Sequence, residues 1–451
     1  MTQQNNLSSA IARLQLRLEQ LALGNPPERC VQLVENLEEL PLLAWLANQT
    51  AYPKIYWRGR RDGEQVAAIG AAKDYLLEEI PATEKLDQLY NNYLRATPDS
   101  LMRLYGGVSF DPEQPAWQGY GQARFVLPRV EIRQIGEQSR LILSVTADDW
   151  NDDLAAARAT LATLLPAKPL PPLAPAHVIN RSELPSRGRW QDLIEQVTNP
   201  NFIANTPKVV LARETQLHSN TLPNPWTVLH SWGLLNPTSY QYGFQFSPEQ
   251  TFISCSPERL YQRLGRELST EALAGTTIRG FTDSEDDALA QALLNDGKNS
   301  HENQLVREHI EQQLSPLSEY VGAEESPSIL KLNHIQHLHR NIRAELKAGV
   351  NDLQLLQALH PTPAVGGLPR AAAMNFIRQR EGFERGWYAG ACGYLGANDT
   401  EFSVAIRSAR FQPGQVTLFA GAGIVSDSIA DDEWQELNNK LTTVLGILNG
   451  L

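Results

Sequence analysis

Cysteine is scarce: Cys30, Cys255 and Cys392 are the three in a chain of 451 residues. They are scattered and odd in number. That excludes a disulfide framework and a paired-cysteine zinc site, and it fits a reducing cytoplasm. Basic tracts are lacking too. Lys and Arg total 39 against 51 Asp and Glu, for a net charge of −12, which leaves no electrostatic footprint for nucleic acid. No apolar run is long enough to span a bilayer, and the polar start Met1-Thr-Gln-Gln-Asn-Asn6 lacks the apolar core of a signal peptide. Neither nucleic acid nor membrane is expected as a partner, and the expected location is cytoplasmic. An anionic substrate would need a site with its own local positive charge or a metal.

Apolar residues are not lacking: 42% of the chain is hydrophobic, enough for the core of one large domain or two ordinary ones. Helical spacing over Leu7 to Leu23 predicts an amphipathic opening helix. Alternation and glycine punctuation then predict strands over Lys54–Trp57, Val66–Gly70, Leu104–Val108, Arg124–Ile132 and Ser139–Val145, an antiparallel pattern. A helix over Asp152–Leu165 leads into a proline-rich run, Pro166 to Pro175, which resists helix and sheet alike. That run is the expected boundary between an N-terminal half, 1–185, and a catalytic region, 186–451. Beyond it, strands are predicted over Lys208–Ala212, Thr251–Ser254, Tyr388–Leu395, Phe402–Arg407 and Val416–Phe419. Helices are predicted near Glu285–Leu294, Glu302–Leu314 and Pro369–Gln379. Strands and helices do not alternate strictly, so the fold class is α+β rather than a doubly wound parallel sheet.

The closing stretch, Phe419 to Lys440, is the most informative. An apolar strand turns glycine-rich at Gly421 and Gly423, and a helix follows that Ser428 or Asp431 is placed to cap. Glu433, Glu436 and Lys440 share one helical face, in line with the apolar Val444 and Leu448. Charges on an inward stripe are costly unless paired or bound to metal. The competing reading is a solvated helix with local Glu–Lys pairs. A dinucleotide loop at Gly421-Ala-Gly423 is rejected, because the third glycine and the downstream βαβ unit are absent.

Other residues fit chemistry, each against a plainer alternative. Lys208 opens an apolar strand; if buried rather than snorkelling, it would be pushed towards neutrality and could act as a base. Glu258, in Ser256-Pro-Glu-Arg-Leu260, is either a turn residue paired with arginine or an acid raised by an apolar pocket. Gly275-Thr276 can offer backbone N–H groups to an anion, with Arg279 nearby. Glu302 shares a helical face with Leu305 and Val306. With Glu433 and Glu436 it would make a carboxylate set suited to magnesium rather than zinc. Arg407 on a strand would clamp a carboxylate if inward, and Tyr388 would add a hydroxyl. His334, His337 and His339 show no metal spacing, so core or surface roles are expected.

Together these blocks resemble the chorismate-utilising enzymes. The matching stretches are Lys208-Val-Val-Leu-Ala-Arg213, Ser256-Pro-Glu-Arg-Leu260, Leu273-Ala-Gly-Thr276, His360-Pro-Thr-Pro-Ala-Val-Gly-Gly-Leu-Pro369, Trp387-Tyr-Ala-Gly-Ala-Cys-Gly-Tyr394, Val404-Ala-Ile-Arg-Ser-Ala409 and Phe419-Ala-Gly-Ala-Gly-Ile-Val425. Within that family the chain is similar to isochorismate synthases. Anthranilate synthases typically carry glutamine where Lys208 stands. The N-terminal stretches Leu43 to Trp57, Phe110-Asp-Pro-Glu113 and Leu127-Pro-Arg-Val-Glu131 resemble the menaquinone-pathway branch. The siderophore-pathway enzymes, salicylate synthases and a non-catalytic binding homologue are the alternatives.

The resemblance implies two packed antiparallel sheets flanked by helices, chorismate as substrate and Mg²⁺ as cofactor. It implies Lys208 as the base activating water for attack at C2, and Glu258 as the acid protonating the departing C4 hydroxyl. Glu302 and Glu436 would hold the metal, with Glu433 nearby or through water. Tyr388 and Arg407 would take the enolpyruvyl carboxylate, and Gly275, Thr276, Gly423 and Lys440 would complete the anion cradle.

Overall fold

Short alternating apolar runs, broken by glycine and proline turns, make this a strand-rich chain. The computed structural model describes residues 2–60, 63–78, 94, 101–332 and 335–450. Helix α1 (Thr2–Ala22) lays Leu7, Leu14 and Leu18 on the core. Then come β1 (Cys30–Leu37), α2 (Leu42–Asn48), β2 (Lys54–Arg58), β3 (Gln65–Leu77), β4 (Arg103–Val108), β5 (Ala123–Ile135), β6 (Gln138–Thr146) and α3 (Trp150–Ala162). The middle of the chain forms β7 (Val178–Leu184), α4 (Arg187–Thr198), α5 (Pro200–Ile203), β8 (Lys208–Ser219), α6 (Pro225–Leu235), β9 (Tyr240–Ser247), β10 (Gln250–Ser256), β11 (Arg259–Leu264) and β12 (Glu267–Ile278). Helices α7 (Asp283–Asn295) and α8 (Gly297–Leu314) precede β13 (Ser318–Ala323), β14 (Ser328–Lys331) and β15 (Ile335–Leu346). The chain closes with α9 (Asp352–Leu359), β16 (Gly367–Leu368), α10 (Arg370–Arg380), β17 (Ala391–Gly396), β18 (Asp399–Val404), β19 (Ser408–Gln412), β20 (Gln415–Ile424) and α11 (Ala430–Leu448).

All strand pairings among the described residues are antiparallel. One sheet runs β1-β6-β5-β3-β2-β9-β10-β19-β20-β8, with β7 and β16 on the free edge of β8. The other runs β4-β17-β18-β11-β12-β15, with β13 and β14 beyond β15. The long strand β5 joins them. β3 follows one of its edges, and on the other edge β4 pairs residues 123–126 and β6 pairs residues 130–135. The two expected sheets are therefore present as two arms of one hydrogen-bonded network.

Two short segments carry the chain from arm to arm and matter most for function. Pro257-Glu258 links β10 to β11, and residues 405–407 link β18 to β19. Aromatic rings fill the space between the arms. Trp57 on β2 meets Tyr394 on β17 edge to face at 6.0 Å. Trp387, fully buried ahead of β17, packs on Phe244 and Phe252 of β9 and β10. A tryptophan buried in this way contributes about 3–5 kcal/mol.

The expected proline-rich stretch has no regular structure, but it is tied down. Asn48 Nδ2 donates to the Pro166 carbonyl at 2.8 Å and Thr227 Oγ1 to the Pro171 carbonyl at 3.0 Å. Strands from either side of residue 185 pair with each other, β2 with β9 and β4 with β17, so both halves build the same sheets.

Candidate active site

Alternation along β8 turns Lys208 and Val210 to one face, and the same alternation on β20 turns Phe419, Gly421 and Gly423 towards them. These residues, the Pro257-Glu258 crossing, the ends of β12 and β15, helix α8 and helix α11 enclose a cavity of about 250 Å³. Lys208, Glu258, Gly275, Thr276, Glu302, Tyr388, Arg407, Gly423, Glu433, Glu436 and Lys440 all line it. Arg279 does not. It is bound to Asp286 at 2.6 and 2.9 Å and to the Leu332 carbonyl, so the expectation that it stands by the anion is corrected.

Lys208 is 1% exposed, and its Nζ donates to Glu302 Oε1 at 2.7 Å. The proposed base and a proposed metal carboxylate, 94 residues apart, are thus an ion pair. Glu302 does not start its helix, as the sequence suggested. Helix α8 begins at Gly297, capped by Asp296, whose carboxylate accepts from the Asn299 N–H at 2.7 Å. Gly423 allows the close packing here: a Cβ at this position would meet Lys208 Cε at 3.1 Å and Glu302 Oε1 at 3.2 Å.

Glu258 is buried in the crossing between the arms. Burial, reinforced by the nearby negative charge of Glu271, pushes its carboxyl up to about 8, against smaller opposing effects of Lys208 and Arg60. At neutral pH it therefore carries a proton it can donate.

On α11, Glu433 is buried, while Glu436 and Lys440 are partly so, continuing the stripe of Val444 and Leu448. The inward-facing reading of this stripe holds, with one correction to its start. Ile429 is the residue before the helix, and no side chain caps it. The Ser428 hydroxyl instead accepts from the Val425 N–H at 3.1 Å, and Asp431 binds Arg187. Burial raises Glu433, and the adjacent Glu436 adds to this, while a hydrogen bond to Ser428 offsets part of it. Burial also opposes the charge of Glu436, but the Lys440 ammonium outweighs it and holds that carboxyl below its usual range. Lys440 Nζ bonds both Glu436 and the Gly421 carbonyl, the latter at 2.8 Å. It is a helix salt-bridge partner and a cavity cation at once.

The chemistry of the acidic donors suits a hard divalent cation. They are all carboxylates, and the repulsion between Glu433 and Glu436 is what a cation would relieve. The set is not gathered as three ligating side chains, however. Among the described residues no group of three His, Cys, Asp or Glu stands ready to hold a metal, because Glu302 faces Lys208 and Glu436 faces Lys440.

Tyr388 and Arg407, each predicted at the end of a strand, reach the cavity from outside β17 and β18. Tyr388 precedes β17, and its ring stacks on Phe419 at 5.0 Å. Burial pushes its hydroxyl up, so it stays a phenol able to donate. Arg407 lies past the end of β18 with φ 48°, a left-handed conformation that costs a non-glycine residue about 1 kcal/mol or more. That backbone twist turns the chain between arms and aims the side chain inward, where Arg407 Nη1 donates to the Lys440 carbonyl at 3.2 Å. Burial lowers it to about 10, so it remains a cation at neutral pH. Gly275 has φ 86° at an irregularity in the β12–β15 register, a conformation open to glycine.

The sequence reading missed three wall residues. His337 was expected in a core or surface role, yet it lines the cavity and lies 2.8 Å from Thr276 Oγ1 through Nδ1. Burial, with Arg407 and Lys440 nearby, drives it down to about 3, so it is neutral. Lys298 and Asn299 enter from the first turn of α8. The helical register from Glu302, three and four residues back, was the signal that could have found them. His334 lies outside the described residues.

This fold and this cavity define a class of protein. The chain belongs to the chorismate-binding enzyme family, whose match spans residues 17–449. It is 36% identical over 440 residues to isochorismate synthase MenF of Escherichia coli K12, covering 96% of this chain and 97% of that one. It is 38% identical over 423 residues to a salicylate biosynthesis isochorismate synthase of Pseudomonas aeruginosa, covering 90% and 87%. The solved structure of MenF, the menaquinone-specific isochorismate synthase from Escherichia coli, matches with a TM-score of 0.89 at 34% identity, covering 98% of this chain and 100% of that one.

Proposed function

We propose that this protein is an isochorismate synthase that converts chorismate to isochorismate on the route to menaquinone. The observation that carries this reading is a buried lysine, Lys208, and a buried acid, Glu258, whose carboxyl burial pushes up to about 8, in the wall of one cavity. Residues 186–451 supply the chorismate-binding walls, and residues 1–185 complete the sheets that hold them. The cations Arg407, Lys440 and Lys298 suit a dicarboxylate substrate. With no helix among the described residues able to cross a membrane, the protein would act in the cytoplasm on a small molecule.

Lys208 takes a proton from water as its oxygen bonds to C2. The ring double bonds shift, and the C4–O bond breaks as Glu258 delivers its proton to the leaving hydroxyl, so one water is consumed and one released. The base role needs the Lys208 amine released from Glu302, its ion-pair partner here. Glu302 and Glu436 would hold Mg²⁺, with Glu433 beside them or linked through water. When bound, the metal would neutralise and orient the ring carboxylate. Tyr388 and Arg407 hold the enolpyruvyl carboxylate, with the backbone at Gly275 and Gly423, Thr276 and Lys440 around the remaining oxygens.

Treatment with EDTA is expected to abolish chorismate turnover, with recovery on adding Mg²⁺; activity that survives chelation would remove the metal from this account. Lys440→Ala is expected to raise KM for chorismate about tenfold or more, from the loss of a charge-assisted contact, with little change in melting temperature. An unchanged KM with a lower melting temperature would leave Lys440 as a helix salt-bridge residue alone. The pathway is tested by expression in a bacterium lacking its menaquinone-route isochorismate synthase. Restored menaquinone is expected; failure there with turnover in vitro would point to a siderophore or salicylate route.

A further inference from the structure

Beside Glu258 lies a buried ion pair that the mechanism above does not use. Arg60, which follows β2, holds the Glu271 carboxylate of β12 with two parallel hydrogen bonds, Nη1 to Oε1 at 2.7 Å and Nη2 to Oε2 at 2.6 Å. The two side chains are 5% and 1% exposed. The pair also grips the peptide groups on both sides of Glu258. Arg60 Nη1 donates to the Pro257 carbonyl, and Glu271 Oε1 accepts from the Arg259 N–H at 2.8 Å. The Glu258 carbonyl itself accepts from Ser403 Oγ at 2.9 Å and from the Val404 N–H at 3.1 Å. His339 Nε2, on β15, lies 2.9 Å from Glu271 Oε2.

The charges facing Glu258 come from three elements: Glu271 on β12, Lys208 on β8 and Arg60 after β2. Arg259 is turned away, to Tyr240 Oη and Glu401. Burial opposes the charge on Glu271, but the His339 hydrogen bond and the Arg60 guanidinium outweigh it and hold the carboxyl well below its usual range. A fixed anion beside a second buried carboxyl disfavours ionisation of that second group.

We infer that Glu271, held in place by Arg60 and His339, is a positioning residue for the general acid: with Arg60 it fixes the backbone on both sides of Glu258 at the crossing between the arms, and it sets a negative charge beside that side chain. Its assignment to catalysis rests on the reading of Glu258 as the acid. Arg60 lies 211 residues before Glu271, so the N-terminal half acts on the site through this pair.

The test separates charge from support. Infrared difference spectra against Glu258→Gln, taken across pH, isolate the Glu258 carboxyl without turnover. Glu271→Gln keeps the shape and removes the anion. It is expected to move the Glu258 titration, and with it the alkaline limb of kcat/KM for chorismate, down by about one pH unit or more. Activity at pH 8 should then fall about fivefold or more, with KM within about threefold. Arg60→Gln removes a cation from the same carboxyl and is expected to move the titration upward. Opposite shifts support the inference; a titration unmoved in either folded variant overturns it, even if activity falls. If Glu271→Gln does not fold, the sign of the Arg60→Gln shift decides. Spectral shifts without chorismate turnover by the unaltered protein would remove the functional reading and leave the charge coupling standing.

Discussion

Lys208→Ala is expected to lower kcat by about 10²–10⁴-fold, the range a positioned general base supplies, while chorismate still binds. The size of the effect follows from where the amine sits. Lys208 opens β8, it is almost fully buried, and its Nζ is held by Glu302 at 2.7 Å. The side chain therefore reaches the cavity in one defined position. Truncation leaves Glu302 without its lysine, and since the Glu302 side chain keeps 22% exposure, the loss of stability is roughly 1–3 kcal/mol, not the collapse of the fold. Steady-state rates with calorimetric titration of chorismate separate the effects. Near-normal turnover in a folded variant would remove Lys208 as the base, and lost binding with lost turnover would make it a structural residue.

Glu258→Gln is expected to reduce kcat on a similar scale, about 10²–10⁴-fold, because an amide of the same shape has no acidic proton to give. Two further readouts follow from the carboxyl being raised to about 8. Activity of the unaltered protein should decline as pH rises through that value, since the protonated form is the donor. The stability effect has the same sense. A group whose folded pKa exceeds its unfolded one contributes stability fully present below the unfolded value, about 4.3, and lost as pH rises towards about 8. Glutamine never ionises, so the variant should match or exceed the parent's melting temperature at pH 8 while losing turnover. Full activity would rule out the acid role, and a large drop in melting temperature would show that the carboxyl is needed for folding.

The parts of this site that could be read from the sequence are those that follow from local periodicity. Spacings of three and four put Glu433, Glu436 and Lys440 on one face of α11, and that face is where the cavity lies. Alternation on β8 and β20 brings Lys208 and Gly423, which is opposite Val210, to the same face. What could not be read depends on the crossings between the arms. Arg407 was assigned to a strand because its neighbours alternate, but its left-handed backbone is set by the turn from β18 to β19. Tyr388 was assigned in the same way, yet it precedes β17. Contacts between distant segments, Lys208 with Glu302 and Arg60 with Glu271, leave no local signature. The first of these changes the picture most, since it pairs the proposed base with a proposed metal carboxylate.

We propose that this cavity adds water at C2 of chorismate and releases the C4 hydroxyl. The most direct measurement supplies the purified protein with chorismate and Mg²⁺, without ammonium, in heavy-oxygen water, and analyses the product at early times by chromatography and mass spectrometry. The expected product is isochorismate carrying one solvent oxygen as its C2 hydroxyl. Unlabelled isochorismate, salicylate with pyruvate, or unchanged chorismate would contradict it.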